Sequence, residues 1–93
     1  MKIGALKIDL EITDSTSLKD KRMVIKSMKD RLRKQFNISI AEIDENDKWQ
    51  RSTLGISSAS NDKQFLEMMF NKIIDYIENE KSVIVLDVNM EIL

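Results

Sequence analysis

Residues 6–36 read LKIDLEITDSTSLKDKRMVIKSMKDRLRKQF, and this stretch decides the fold. Its first part alternates apolar and polar residues with a period of two, which is typical of a strand with one buried face. Its last part repeats apolar residues at helical spacing, which predicts a helix over residues 18–35. Between the two, Ser17 and Asp20 fit a capping box at the start of that helix. The stretch therefore predicts a long strand over residues 2–13 followed by a helix.

The rest of the chain continues with two strands, a second helix and a last strand. These elements are predicted over residues 38–44, 52–59, 60–79 and 82–93. The order β-α-β-β-α-β predicts an α+β fold, the ferredoxin-like sandwich, with an antiparallel sheet in strand order 4-1-3-2 and two helices on one face. Since 93 residues suffice for one domain and not for two, residues 1–93 are predicted to form a single domain.

Three local expectations accompany this fold. Asn37, directly after the first helix, is predicted to end it in the left-handed conformation. The apolar stripe of the second helix is interpreted as Phe65, Leu66, Met69, Ile73 and Ile77, with Phe70 and Tyr76 beside it. The apolar alternation of the last strand runs through Ile84, Leu86, Val88, Met90 and Ile92.

Composition narrows the classes of function. Apolar residues make up 42% and charged residues 33% of the chain, which is typical of a soluble globular protein. No apolar run approaches the ~18 residues of a membrane span, and the N-terminal residues lack the pattern of a signal peptide. There is no cysteine and no histidine, so the usual nucleophile, general base and metal ligand are missing. These observations predict a cytoplasmic, non-enzymatic protein without catalytic residues, metal or cofactor.

The first helix is strongly basic although the whole chain has a net charge of −1. Between Leu18 and Phe36 there are eight basic and two acidic residues, which gives +8 − 2 = +6 and leaves −7 for the remainder. Five of the cations fall within a sector roughly 80° wide on a helical projection. Such a ridge suits a polyanion, RNA above all, or is simply the solvated face of the helix. Its members are Lys19, Arg22, Lys26, Lys29 and Arg33.

The only tryptophan lies where the second and third strands are joined. Trp49 has Lys48 on one side and Gln50-Arg51 on the other. An exposed indole beside cations could stack on a base or on an aromatic group of a partner. Alternatively, Trp49 closes the end of the core while Arg51 starts the third strand. Trp49 and Arg51 are therefore candidate binding residues.

The face of the sheet that no helix covers is predicted to carry small and apolar side chains in its middle. A second copy of the chain could cover such a face, which predicts a homo-oligomer; alternatively the face stays uncovered. The residues assigned to this candidate oligomer face are Ile3, Ala5, Gly55, Ser57, Ala59, Val83 and Val85.

Several familiar sites do not fit the sequence. RNA-recognition motifs stack bases on aromatic residues of the first and third strands, which contain none here. Gly4 and Gly55 are the only glycines and each lies inside a strand, so there is no glycine-rich phosphate loop. Residues 44–47, Asp-Glu-Asn-Asp, lack the ligand pattern and the glycine of a calcium loop. No small-molecule ligand is selected by any residue.

Along its whole length the sequence resembles the YlxP-like family of small bacterial proteins, a domain of unknown function. The most specific matches are SLKDKR at 17–22, FNISIAE at 36–42 and WQR at 49–51, with SND at 60–62 and EIL at 91–93. The resemblance implies a ferredoxin-like fold, self-association and a gene neighbourhood of translation and ribosome-maturation factors. It implies no reaction.

The sequence departs from that family in one loop. Members often carry a histidine in the turn before the Trp-Gln-Arg motif, whereas residues 44–48 here read DENDK. Any role that depends on this histidine in relatives is therefore missing from this chain.

Three functions follow as hypotheses. The first is a non-enzymatic accessory factor that contacts ribosomal RNA or a ribosomal precursor through the basic helix. The second is a protein-interaction or homo-oligomerisation module that does not bind nucleic acid. The third, for which no residue selects a ligand, is a regulatory domain that holds a small molecule between subunits.

Overall fold

All six predicted elements form, and the strands join into one antiparallel sheet. The computed structural model describes all 93 residues. The elements are β1 (Lys2–Ile12), α1 (Leu18–Gln35), β2 (Ser39–Asp44), β3 (Arg51–Ser60), α2 (Lys63–Glu78) and β4 (Val83–Ile92). The sheet order β2-β3-β1-β4 is the predicted order 4-1-3-2 counted from the other edge, so the ferredoxin-like α+β fold is confirmed.

The core lies between the two helices and one face of the sheet. Sixteen buried apolar residues form a single cluster there. The predicted alternation of β1 is confirmed, since every second residue from Leu6 to Ile12 is buried. Burying one such aliphatic side chain contributes about 1.5–3 kcal/mol, so the period-two pattern is enough to fix which face of β1 meets the helices. The helices contribute Ile25, Met28, Leu32, Leu66, Met69, Phe70, Ile73 and Ile77 to this cluster.

The start of α1 is capped by Ser17 as predicted, but the Asp20 carboxylate bonds to Thr16 and not to the Ser17 amide as in a standard capping box. Ser17 is the N-cap, and its Oγ accepts a hydrogen bond from the Asp20 amide at 3.1 Å. The Asp20 carboxylate accepts from the amide of Thr16 at 3.1 Å and from its hydroxyl at 2.8 Å, one residue before the cap. These bonds, the hydroxyl first, lower the pKa of Asp20.

The end of α1 differs from the expectation. Asn37 was predicted to be left-handed, and this is wrong, because the only residue other than glycine with positive φ is Glu45 at 63°. Phe36 is the C-cap and is already extended, with φ −131° and ψ 144°. Its ring packs against the core, so the chain passes directly from the helix towards β2 without a left-handed residue.

A bulge interrupts the pairing of β4 with β1. Asp9 pairs with Asp87, while the next residue of β1, Leu10, pairs with Val85. Leu86 is therefore an extra residue with no partner of its own in this register. Because side chains alternate with a period of two, one extra residue reverses the face on which all earlier residues of β4 lie.

This reversal corrects the placement of two predicted open-face residues. Val83 is 5% exposed and belongs to the core, and Val85 packs against the core from the same side. Both therefore lie on the helix-covered face, and their assignment to the candidate oligomer face is wrong. Ile84, which pairs with Glu11, occupies the open face instead and is exposed.

The buried face of α2 is rotated from the predicted stripe. Phe65 is 52% exposed, whereas Phe70 is fully buried. A Cβ atom added to Gly4 would lie 2.6 Å from the Cε2 atom of Phe70, so glycine at this position makes room for the ring against β1. The five buried residues of α2 are Leu66, Met69, Phe70, Ile73 and Ile77.

Candidate functional site

Four of the five predicted ridge cations surround one concavity between α1 and β2. We call this surface the basic groove. It has a volume of about 340 Å³, and Lys19, the fifth cation, is exposed but does not line it. The residues that line the basic groove are Arg22, Ile25, Lys26, Lys29, Asp30, Arg33 and Glu42.

The cations of the basic groove exceed its acids. Its four cations and two acids give +4 − 2 = +2. Asp30 Oδ2 lies 2.9 Å from Lys26 Nζ, and its Oδ1 lies 3.6 Å from Arg33 Nη1. The bond from Lys26 is the main reason why the pKa of Asp30 is lowered. Arg22 and Lys29 form no ion pair, so they are the cations most available to an anionic ligand.

Two other cations of α1 are used inside the fold. Lys21 is fully buried. Arg31 donates from Nη1 and Nη2 to the two carboxylate oxygens of Glu80 at 3.0 and 3.1 Å, and also from Nη1 to the hydroxyl of Tyr76. The Glu80 bond raises the pKa of Arg31. The +6 charge of the helix therefore overstates what a ligand would meet.

Lys21 of α1 donates hydrogen bonds to residues 45–51, which comprise the loop after β2 and the first residue of β3. Its Nζ lies 2.8 Å from the carbonyl oxygen of Glu45 and 3.2 Å from those of Asn46 and Arg51. Glu42 Oε2 completes the set at 2.9 Å. An ammonium group has three protons and no acceptor, so four oxygens at these distances satisfy it fully. We call this arrangement the Lys21 clamp.

The strand ends around the clamp are joined by the residues singled out as motifs. The Gln50 side chain donates to the carbonyl of Ser15 at 2.9 Å, and the Ile12 amide donates to the carbonyl of Gln50 at 2.9 Å. Lys48 Nζ lies 2.9 Å from Glu45 Oε2, and the hydrogen bond to this carboxylate raises the pKa of Lys48. The segments 17–22 and 49–51 are therefore parts of one network that shapes the loop.

Neither Trp49 nor Arg51 lines the basic groove. Trp49 is 56% exposed and is not part of the core, so the interpretation that it closes the end of the core is wrong. Arg51 pairs with Glu11 on β1, whose neighbours Leu10 and Ile12 face the core. The Arg51 side chain therefore lies on the open sheet face, away from α1.

The open sheet face keeps five of its predicted residues. Ile3, Ala5, Gly55, Ser57 and Ala59 lie on it, since their register partners alternate with the buried residues of β1 and β3. Its centre is a shallow concavity of about 480 Å³. Polar residues that the sequence interpretation had not included also line that concavity; they are Lys7, Ser39, Asn89 and Glu91.

Sequence reasoning assigned no role to Lys21 or Glu42, although both had a recognisable signal. Lys21 occupies the position between Leu18 and Ile25 on the inward stripe of α1, where a charged residue is buried only with partners. Glu42 follows Ile40 by two residues and so shares its inward face. A lysine and a glutamate that both interrupt inward-facing stripes are candidates for a buried pair.

No three histidine, cysteine, aspartate or glutamate side chains gather as metal ligands. Neither helix combines the length and the hydropathy needed to cross a membrane.

Comparisons with known proteins agree with the fold and with the resemblance. The family described as "Protein of unknown function (DUF503)" matches residues 3–90. The uncharacterized protein YlxP of Bacillus subtilis (strain 168) is 35% identical over 77 residues, which are 83% of this chain and 84% of that protein. Among solved structures, the de novo designed protein Foldit4 superposes with a TM-score of 0.56 at 12% identity. The superposition covers all of this chain and 97% of the Foldit4 chain, and it shows only that the fold is shared.

Proposed function

The chain belongs to the DUF503 family of proteins of unknown function, and we propose that it is a non-enzymatic accessory factor that binds RNA through the basic groove. The ribosomal RNA or ribosomal precursor expected as its target rests on the gene neighbourhood that the YlxP resemblance implies. The geometry of α1 and β2 supports the choice of the binding surface.

The observation that carries this proposal is the convergence of four cations on one concave surface. Arg22 and Lys29 have no acidic partner, so phosphate groups can replace water around them without breaking an ion pair. Along the helix axis, residues 22–33 span about 16 Å, which is enough for about three nucleotides of an unpaired strand. A concave row of cations matches a flexible single strand better than a flat surface does.

The magnitude of the charge sets the expected strength of binding. About three or four phosphate contacts to a single strand give a slope of about −2 to −3 in log affinity against log salt concentration. The groove is only +2 and the chain as a whole is −1, so binding should be weak at physiological salt and strong only at low salt.

The experiment compares two charge reversals of equal size. The first variant replaces Arg22, Lys26 and Lys29 with glutamate, which changes the charge by −6. The control replaces Lys2, Lys72 and Lys81 with glutamate, which also changes it by −6 but at exposed positions that form no ion pair. Fluorescence anisotropy with labelled single-stranded RNA should show loss of binding in the first variant and at most a few-fold weakening in the control. Equal behaviour of the two variants would contradict the proposal.

The open sheet face supports a second candidate function, a homo-oligomerisation module. Ile3 and Ile84 are exposed on this face because no helix covers it. Lys7 and Glu91, which line the central concavity, supply charges of both signs, so a second copy could meet the face with complementary charges. Analytical ultracentrifugation of the wild type and of Ala5→Arg tests this: a dimer that becomes a monomer in the variant would support it. A monomeric wild type at high micromolar concentration would reject it.

A further inference from the structure

Glu42 is an anion placed among the cations of the basic groove. It lines the same concavity as Arg22, Lys26, Lys29 and Arg33, and 15% of its side chain is exposed. Its charge balances the buried Lys21 ammonium, which lies 2.9 Å from Oε2, and its carboxylate repels phosphate. The exposed part of Glu42 can still accept a hydrogen bond from a ligand in the groove.

One oxygen of Glu42 is occupied and the other is free. Oε2 lies 2.9 Å from Lys21 Nζ and accepts from the hydroxyl of Ser52 at 2.7 Å. Oε1 accepts no hydrogen bond from the protein, and it is not one of the fully buried side-chain oxygens that lack a partner. Oε1 of Glu42 is therefore accessible to solvent. Two contacts on Oε2 hold the carboxylate in place, so its free oxygen is fixed in position before any ligand arrives.

The bases of an unpaired RNA strand differ in what they offer such an oxygen. Protein side chains read unpaired bases at their Watson–Crick edges, and carboxylates accept from amino groups there. Guanine presents two adjacent donors on that edge, its N1–H and its N2 amino group. Adenine and cytosine place a ring acceptor beside their amino group, and uracil has its single N3–H between two carbonyl oxygens. A fixed carboxylate oxygen therefore favours guanine.

We propose that Glu42 determines specificity in the basic groove, where it accepts hydrogen bonds from the Watson–Crick edge of an unpaired guanine while the neighbouring cations hold the flanking phosphates. This inference rests on the proposed RNA-binding function. The contact removes one base from its stack and uses a fixed acceptor, so it selects a base without requiring an aromatic platform on the sheet.

The test uses labelled RNA hexamers that differ at one base. Wild-type protein is titrated at low salt with rUUGUUU, with rUUIUUU, in which inosine lacks only the N2 amino group, and with rUUUUUU. A hydrogen bond to a charged group of this kind predicts about tenfold tighter binding of the guanosine hexamer than of the inosine hexamer. Equal affinity for the guanosine and inosine hexamers would overturn the inference.

Two variants identify the group responsible. Glu42→Gln keeps an oxygen for Lys21 and Ser52 but turns the accessible acceptor into an amide donor, so the guanosine and inosine hexamers should bind this variant with equal affinity. Asp30→Asn removes the other acid of the groove and should strengthen all hexamers alike without changing their ranking. A guanosine preference that survives in Glu42→Gln would overturn the inference. Failure of every hexamer to bind the wild type would instead overturn the proposed function, and the inference with it.

Discussion

The Lys21 ammonium lies 2.9 Å from the Glu42 carboxylate, and the lysine side chain has no exposure to solvent. A buried cation is tolerated only when it is paired and hydrogen-bonded, and here three backbone carbonyls of the 45–51 loop supply the remaining bonds. Lys21 also holds the Glu42 carboxylate where it lines the basic groove. One lysine of α1 thus contacts both the 45–51 segment and a residue of the groove.

Replacing Lys21 with methionine should destabilise the protein strongly. The substitution keeps most of the side-chain volume but leaves Glu42 and three loop carbonyls without their donor, which should cost about 3 kcal/mol in the free energy of unfolding. Urea unfolding measures this directly. Lys19→Met, at an exposed position two residues earlier, is the matched control and should change stability by less than about 0.5 kcal/mol. Equal stability of the two variants would show that the clamp contributes nothing.

Removing the tryptophan should hardly affect folding. Because more than half of the Trp49 side chain is exposed, Trp49→Ala should cost less than about 1 kcal/mol of unfolding free energy. Phe70→Ala, at a fully buried ring, should cost about 3–5 kcal/mol in the same experiment. A loss of that larger size for Trp49→Ala would mean that the indole does close the core.

The two glycines should respond differently to alanine. At Gly4 the new Cβ would lie 2.6 and 2.8 Å from two atoms of the buried Phe70 ring, so Gly4→Ala should cost about 1–3 kcal/mol through overpacking. At Gly55 the nearest atom, at 2.9 Å, belongs to Ile43, an exposed side chain that can move aside. Gly55→Ala should therefore stay within about 1 kcal/mol of the wild type. Thermal or urea unfolding that shows equal losses for both variants would contradict this packing.

Stability should depend on the charge of Asp20 in acid. Since the hydrogen bonds from Thr16 lower the pKa of Asp20 in the folded state, its contribution is fully present above the unfolded pKa of about 4. It is lost as the pH falls through the lowered folded pKa. The difference in unfolding free energy between wild type and Asp20→Asn should therefore shrink between pH 5 and lower pH. A difference that stays constant over this range would contradict the assignment.

The elements that sequence predicted well are those whose pattern is long and regular. β1 and α1 have eleven and eighteen residues, and their periods fix both the element and its buried face. Ser17 was found because a capping residue acts on its own neighbours. Such local rules need no knowledge of the rest of the fold.

The errors share a different cause, which is contact between distant parts of the chain. The bulge at Leu86 exists only in the pairing of β4 with β1, so the alternation of β4 alone placed Val83 and Val85 on the wrong face. Lys21 was counted only in the +6 charge of the helix, and its buried role was missed because its partners follow it by 21–30 residues. The basic groove was predicted as a helix face, whereas the approach of Glu42 on β2 to that face was not predicted.

Co-sedimentation with purified ribosomal subunits across a salt series tests the central claim, that the basic groove contacts RNA. The wild type should sediment with a subunit at low salt and release steeply as salt rises, and the variant with Arg22, Lys26 and Lys29 replaced by glutamate should not sediment at all. The control with Lys2, Lys72 and Lys81 replaced should sediment like the wild type. Wild-type protein that stays in the supernatant at low salt, or a groove variant that sediments normally, would contradict the account.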